Sequence, residues 1–187
     1  MNVVIFGPPG AGKGTQAQNI VKKFNLHQVS TGDLLRTEIK NKSVIGNEIE
    51  EIISKGDFAT DDIVNKLIRN IIFDPQKKDK LIFDGYPRSL SQAKNLDLLL
   101  NKSNQKIDFI FFLNVNKDTI IKRIEKRKIL EKRSDDDLNT ILRRYETYMD
   151  TTRPVLDYYS SHENYHEIDG GMKINQITSK IEQILGV

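Results

Sequence analysis

The run Val3-Val4-Ile5-Phe6 leads directly into Gly7-Pro8-Pro9-Gly10-Ala11-Gly12-Lys13, and a buried strand, a tight turn and a helix satisfy this order best. Four consecutive apolar residues, three of them β-branched, suit a strand covered on both faces. The glycines let the backbone reverse sharply, and a helix is expected from about Lys13 to Phe24. A strand covered on both faces belongs in a parallel sheet with helices on each side, so the fold class is α/β. Gln28–Ser30, Leu81–Phe83, Phe109–Leu113 and Tyr165–Ile168 read as the other strands of a five-stranded sheet. A closing helix spans Ile174–Leu185, with Ile174, Ile177, Ile181 and Ile184 at helical spacing. Two segments break the alternation. Residues 31–73 read as wholly helical, and residues 117–151 as two helical stretches interrupted by a basic piece around 128–134. Pro154 is expected to open a further helix, because proline is tolerated in a first turn.

Composition narrows the functional classes. A length of 187 residues allows one α/β domain with small insertions. Lys+Arg exceeds Asp+Glu by only 29 to 26, which gives no general argument for nucleic-acid binding. The absence of cysteine excludes a disulfide framework and a thiolate zinc site. No apolar stretch is long enough to span a bilayer and no secretory leader is legible, so a cytoplasmic protein is expected.

Gly7 to Lys13 matches the G-x-x-x-x-G-K core of a phosphate-binding P-loop, placed as that motif requires between strand and helix. Backbone N–H groups of such a loop converge on phosphate oxygens, and the helix N-terminus adds partial positive charge. Lys13 reaches the terminal phosphates as a point charge. Gly14 follows the lysine and the hydroxyl arrives at Thr15, so a phosphate contact suits Thr15 better than direct metal ligation.

Gly10-Ala11-Gly12-Lys13-Gly14-Thr15 resembles the loop of the nucleoside monophosphate kinases, and within them the short-lid adenylate kinase family. Three further motifs, Ser30-Thr31-Gly32-Asp33-Leu34-Leu35-Arg36, Phe83-Asp84-Gly85-Tyr86-Pro87-Arg88 and Asp169-Gly170-Gly171-Met172, extend the resemblance over essentially the whole chain. It implies a core of residues 1–29, 74–126 and 134–187, a monophosphate-binding insertion at 30–73 and a short lid at 127–133. On the ATP side it implies Gly10, Ala11, Gly12, Lys13, Gly14, Thr15, Arg123, Arg127 and Met172. On the AMP side it implies Thr31, Arg36, Asp57, Phe58, Ala59, Gly85, Tyr86, Pro87, Arg88 and Gln92, with Arg133 and Arg144 reaching phosphates of both nucleotides. Lys13, Arg88, Arg127, Arg133 and Arg144 are the implied catalytic cations, and Asp84 would hold Mg²⁺ through water. The implied reaction is reversible phosphoryl transfer, ATP plus AMP giving two ADP, in a monomer without structural zinc, membrane or nucleic-acid partner.

Spacing bears on the basic stretch 122–133. Arg123 and Arg127 lie four apart on one helical face, and Arg133 and Arg144 lie eleven apart, about three turns if one helix joined them. Three rivals remain. In UMP/CMP kinases alanine and asparagine usually stand where Thr31 and Gln92 stand here. A non-transferring guanine-type switch would carry an N-K-x-D motif, which is absent. An RNA-binding protein would use the basic stretch and would not need Lys13.

Overall fold

The computed structural model describes residues 1–55, 57–131 and 138–186, with side chains left out of the description at 127–131 and 138. Its centre is a five-stranded, all-parallel sheet of β1 (Val3–Phe6), β2 (His27–Ser30), β3 (Leu81–Asp84), β4 (Phe109–Asn114) and β5 (Tyr165–Asp169). The strand order is β2-β3-β1-β4-β5. After β1 the chain crosses to the outer strand β2, returns through β3, and then continues on the far side of β1. The switch therefore falls at β1, and crevices at such switch points are where α/β sheets bind ligands.

Alternation along the strands divides the core. Val4, Phe6, Phe83, Ile110 and Phe112 point to one face, while Val3, Ile5, Ile82, Phe111 and Leu113 point to the other. The second face is covered by α1 (Lys13–Phe24), α6 (Lys117–Glu131) and α9 (Ile174–Ile184), through Ala17, Ile20, Ile120, Ile124, Ile177 and Ile181. The first is covered by α5 (Leu90–Lys102), α8 (Arg153–Tyr159) and the helices between β2 and β3. Each fully buried Val, Leu, Ile or Phe contributes about 1.5–3 kcal/mol, so pleat alternation on two faces is the main source of stability.

Residues 31–73 form α2 (Thr31–Lys40), α3 (Val44–Ser54) and α4 (Asp61–Ile72). Ser30 and Ser43 cap the first two by accepting from Asp33 N and Gly46 N. Gly46 lets α3 press on α2, because a Cβ there would lie 2.1 Å from the Glu38 carbonyl oxygen. Gly46→Ala is expected to destabilise the protein by about 1–3 kcal/mol, a loss visible as a lower thermal midpoint. An unchanged midpoint would mean that the two helices can separate freely.

One expectation is corrected. Helix α6 runs on through Glu131, so the first part of the basic piece at 128–134 continues the helix; residues 132–137 lie outside the described set. On α9 the helical spacing puts Ile177 and Ile181 in the core, while Ile174 is 55% exposed. The helix α7 (Leu138–Thr147) leads through a π-helical turn at Tyr148–Thr152 into α8, with Pro154 in its first turn. Proline lacks an N–H and its ring crowds the carbonyl four residues back, and the wider turn accommodates both.

Candidate active site

The C-terminal ends of β1, β2 and β3 open onto one cleft of about 760 Å³. Its floor is the loop after β1, with Gly10 at φ 79° and Gly12 at φ 97°, backbone conformations that side chains resist. A Cβ on Gly10 would also meet Ile124 Cγ1 at 2.8 Å, so the loop lies tight against α6. Lys13 Nζ folds back to donate to the Gly7 and Pro8 carbonyls at 2.8 and 3.0 Å. Arg123 reaches the same loop and donates to the Ala11 carbonyl at 3.3 Å. Thr15 lies exposed on the cleft wall.

Arg88 occupies the opposite wall. Its Nε donates to the Gly85 carbonyl at 2.7 Å, an oxygen that also accepts from Thr31 Oγ1 at 2.7 Å. The Phe58 ring covers the guanidinium at 4.4 Å, and Thr152 Oγ1 holds the Arg88 carbonyl at 3.0 Å. Part of Arg88 still faces the cleft, but protein surrounds it. Burial pushes its pKa down to about 10; the Arg144 and Arg36 cations push the same way, and Asp84 opposes them. The group stays cationic at neutral pH in a setting that disfavours cations, an arrangement that would suit an anionic ligand.

Asp84 ends β3 beside the loop. Its Oδ2 accepts from Gln28 Nε2 at 3.1 Å and lies 3.5 Å from where a Cβ on Gly14 would be. Arg36 lines the cleft paired with Asp33 at 2.6 Å, and Arg144 lines it from α7. Asp57 lines it too, bound two-pronged by Arg143 at 2.8 and 2.7 Å. Ala59, Tyr86 and Gln92 are buried behind this surface. Tyr86 packs on Phe83 and donates to Asn65 Oδ1 at 2.8 Å, so its side chain is turned into the core. Pro87 and Gly85 line the cleft. Met172 follows β5 and packs partly buried against the α9 side of the core. Of the lid arginines, Arg127 lies on α6 with its side chain outside the description, and Arg133 lies outside the described residues.

The structure adds residues that sequence reading passed over: Gln28, Asp61, Arg143, Tyr148 and Thr152. Asp61 was legible only as a helix start. The others carry no local signal, because their roles come from contacts across 56 to 86 residues of chain or from the π-turn. A second depression, of about 640 Å³, opens at the amino edge of the sheet between Asp79 and Asp108 and has no arginine in its lining. No helix of the described residues is long and apolar enough to cross a membrane.

A parallel sheet, a phosphate loop at its switch point and arginines converging on the same cleft define a P-loop protein built to bring nucleotide phosphates together. The family model described as adenylate kinase matches residues 5–164. The chain is 48% identical to an adenylate kinase of Pelagibacter ubique, the alignment covering all of both chains. It is 37% identical to one of Mycoplasma capricolum, with 97% of this chain and 98% of the relative aligned. It is 34% identical to one of a Nocardioides species, with 100% and 98% aligned. This chain therefore belongs to the adenylate kinase family, whose members are nucleoside monophosphate kinases. The Pelagibacter alignment is 213 positions long and the Nocardioides one 187, so the former relative carries stretches with no counterpart here.

Proposed function

We propose that this chain transfers the γ-phosphoryl group of ATP to AMP reversibly, with Mg²⁺, giving two ADP. We assign it a short lid at 127–133, an AMP-binding insertion at 30–73 and a monomeric, cytoplasmic existence. The observation that carries this reading is the single cleft lined by the Gly7–Lys13 loop together with Arg36, Arg88, Arg123 and Arg144. Its volume lies toward the upper end for ligand sites, as two nucleotides meeting by their phosphates require. All of these lining groups come from one chain, which supports the monomeric reading.

The chemistry needs no general base. The acceptor phosphate has a second pKa near 6 and is largely a dianion at neutral pH. One of its oxygens bonds to the γ-phosphorus as the bond from that phosphorus to the β-phosphate oxygen breaks, and no proton moves. What opposes the step is repulsion between two polyanions, so catalysis consists of alignment and charge neutralisation. Lys13, Arg123 and the loop amides take the donor, with Thr15 on its phosphates. Arg36 and Arg88 take the acceptor, Arg144 reaches between, and Arg127 and Arg133 belong to the same set by family resemblance. Thr31, Gln92 and the 57–59 backbone take the AMP base side, and Met172 the ATP base side.

The residues present fit Mg²⁺. Asp84 offers a carboxylate beside the loop, and among the described residues no three His, Cys, Asp or Glu side chains form a cage. A hard cation that keeps its waters and binds mainly through substrate phosphates suits one carboxylate. When bound it would neutralise phosphate charge. The test is an acceptor panel of AMP, CMP, UMP and GMP with Mg·ATP, following diphosphate formation. ADP is expected to form fastest by far. Preferred formation of CDP or UDP would overturn the assignment.

A further inference from the structure

We propose that Asp61 is a specificity-determining positioning residue, which holds the Gln92 amide in the one orientation that accepts an amino-bearing base edge. The inference rests on the reading that Gln92 meets the base of the acceptor nucleotide.

A free glutamine amide discriminates poorly. Its carbonyl oxygen accepts, its NH₂ donates, and a half-turn of the terminal bond exchanges them. An adenine edge, with an amino donor beside a ring-nitrogen acceptor, pairs with one orientation. A hypoxanthine edge, with an oxo acceptor beside a ring N–H, pairs equally well with the other. Only a restrained glutamine can tell them apart.

Gln92 is restrained at both ends. Its side chain is buried at 3% exposure. Oε1 accepts from the Arg88 backbone N–H at 2.7 Å, and Nε2 donates to Asp61 Oδ1 at 2.6 Å. The backbone amide can only donate and the carboxylate can only accept, so the chemistry dictates which end of the side chain is which. A half-turn would face NH₂ against N–H and carbonyl oxygen against carboxylate. Asp61 is itself held, because its Oδ2 accepts from Ser89 Oγ at 2.9 Å. Ser89 Oγ in turn accepts from Gln92 N at 3.1 Å and caps α5. Asp61 lies in the first turn of α4, so this closed ring of bonds forms when the insertion packs on α5. Among the described residues each amide atom has one partner, which leaves Nε2 a second hydrogen and Oε1 a second lone pair for a base. An adenine edge satisfies both. A hypoxanthine edge meets like against like.

The test is kcat/KM for AMP and for IMP, each with Mg·ATP, expressed as a ratio so that the active fraction of a preparation cancels. Asp61→Ala frees the amide, and the AMP:IMP ratio is expected to fall about tenfold or more, partly by a gain on IMP. Asp61→Asn keeps an acceptor oxygen for Gln92 and offers its NH₂ to Ser89, so most of the ratio should return. Asp61→Ser, too short to reach Gln92 but compatible with a helix start, replaces alanine if that variant does not accumulate. Gln92→Ala separates the two layers. If it abolishes the preference while Asp61→Ala leaves the ratio unchanged, Asp61 is only structural and the proposal is overturned. If Gln92→Ala keeps the preference, Gln92 does not read the base, and the proposal falls with the reading beneath it.

Discussion

Arg88→Ala should lower turnover with AMP about a thousandfold or more, on the scale of a removed arginine finger, while the protein stays folded. The guanidinium is among the most desolvated cations of the cleft wall, with its pKa pushed down to about 10 mainly by burial. In such a setting a charge interacts strongly with a phosphoryl group, because little water competes. The same burial makes the cation unfavourable to the empty fold, so its removal carries no large stability cost. What is lost is contact with the Phe58 ring and one bond to the Gly85 carbonyl, which still accepts from Thr31. The decisive measurements are kcat from coupled ADP formation and the thermal midpoint on the same preparation. Arg88→Lys restores charge but not the planar fork, and should recover only part of the rate. Turnover within about tenfold of the parent in the alanine variant would remove Arg88 from the transfer step.

Lys13→Ala should reduce kcat/KM for Mg·ATP by about 10²–10³, the usual cost of one preorganised donor, and leave AMP binding nearly unchanged. In the structure Lys13 Nζ donates to the Gly7 and Pro8 carbonyls of its own loop. Both oxygens belong to the turn after β1, so the lysine lies folded against its own loop at the floor of the cleft. Without it the amides still converge, but the point charge that offsets the terminal phosphates is gone. Kinetics at varied ATP and calorimetry with AMP alone separate the two nucleotide sites. Equal losses on both sides would mean that the variant disturbs the loop fold and not the donor site.

Much of this architecture was legible in the sequence. The central strands β1, β3 and β4 and the α1 boundaries follow from short apolar runs and one glycine turn, because strands buried on both faces leave almost no room for polar residues, whereas the edge strands β2 and β5 are largely polar and bury only Val29 and Ile168. Residues 31–73 are helical in three pieces separated by turns, with Ser30 and Ser43 as local caps of the first two. Local pattern and packing part company in two places. Ile174 shares the helical spacing of Ile177 and Ile181 but, in the first turn of α9, stays 55% exposed at the cleft. The basic piece at 128–134 reads as a break because its charges obscure periodicity, yet the helix continues as far as Glu131. Of the site, the loop glycines, Lys13, Arg36, Asp84 and Arg88 stand in compact motifs, and all of them line the cleft.

Sequence by itself determined where the central strands lie, the phosphate loop and the inventory of cations, since each depends on neighbours within a few residues; the strand order, which pairs Val3 with both Ile82 and Phe109, does not. Only tertiary structure decided which cations share a cavity and which polar groups restrain them. The Gln92–Asp61 bond joins residues 31 apart, Thr152 reaches Arg88 across 64, and Arg143 grips Asp57 across 86. Such contacts leave no periodic trace, because a hydrogen bond depends on distance and direction in space, and chain separation sets neither.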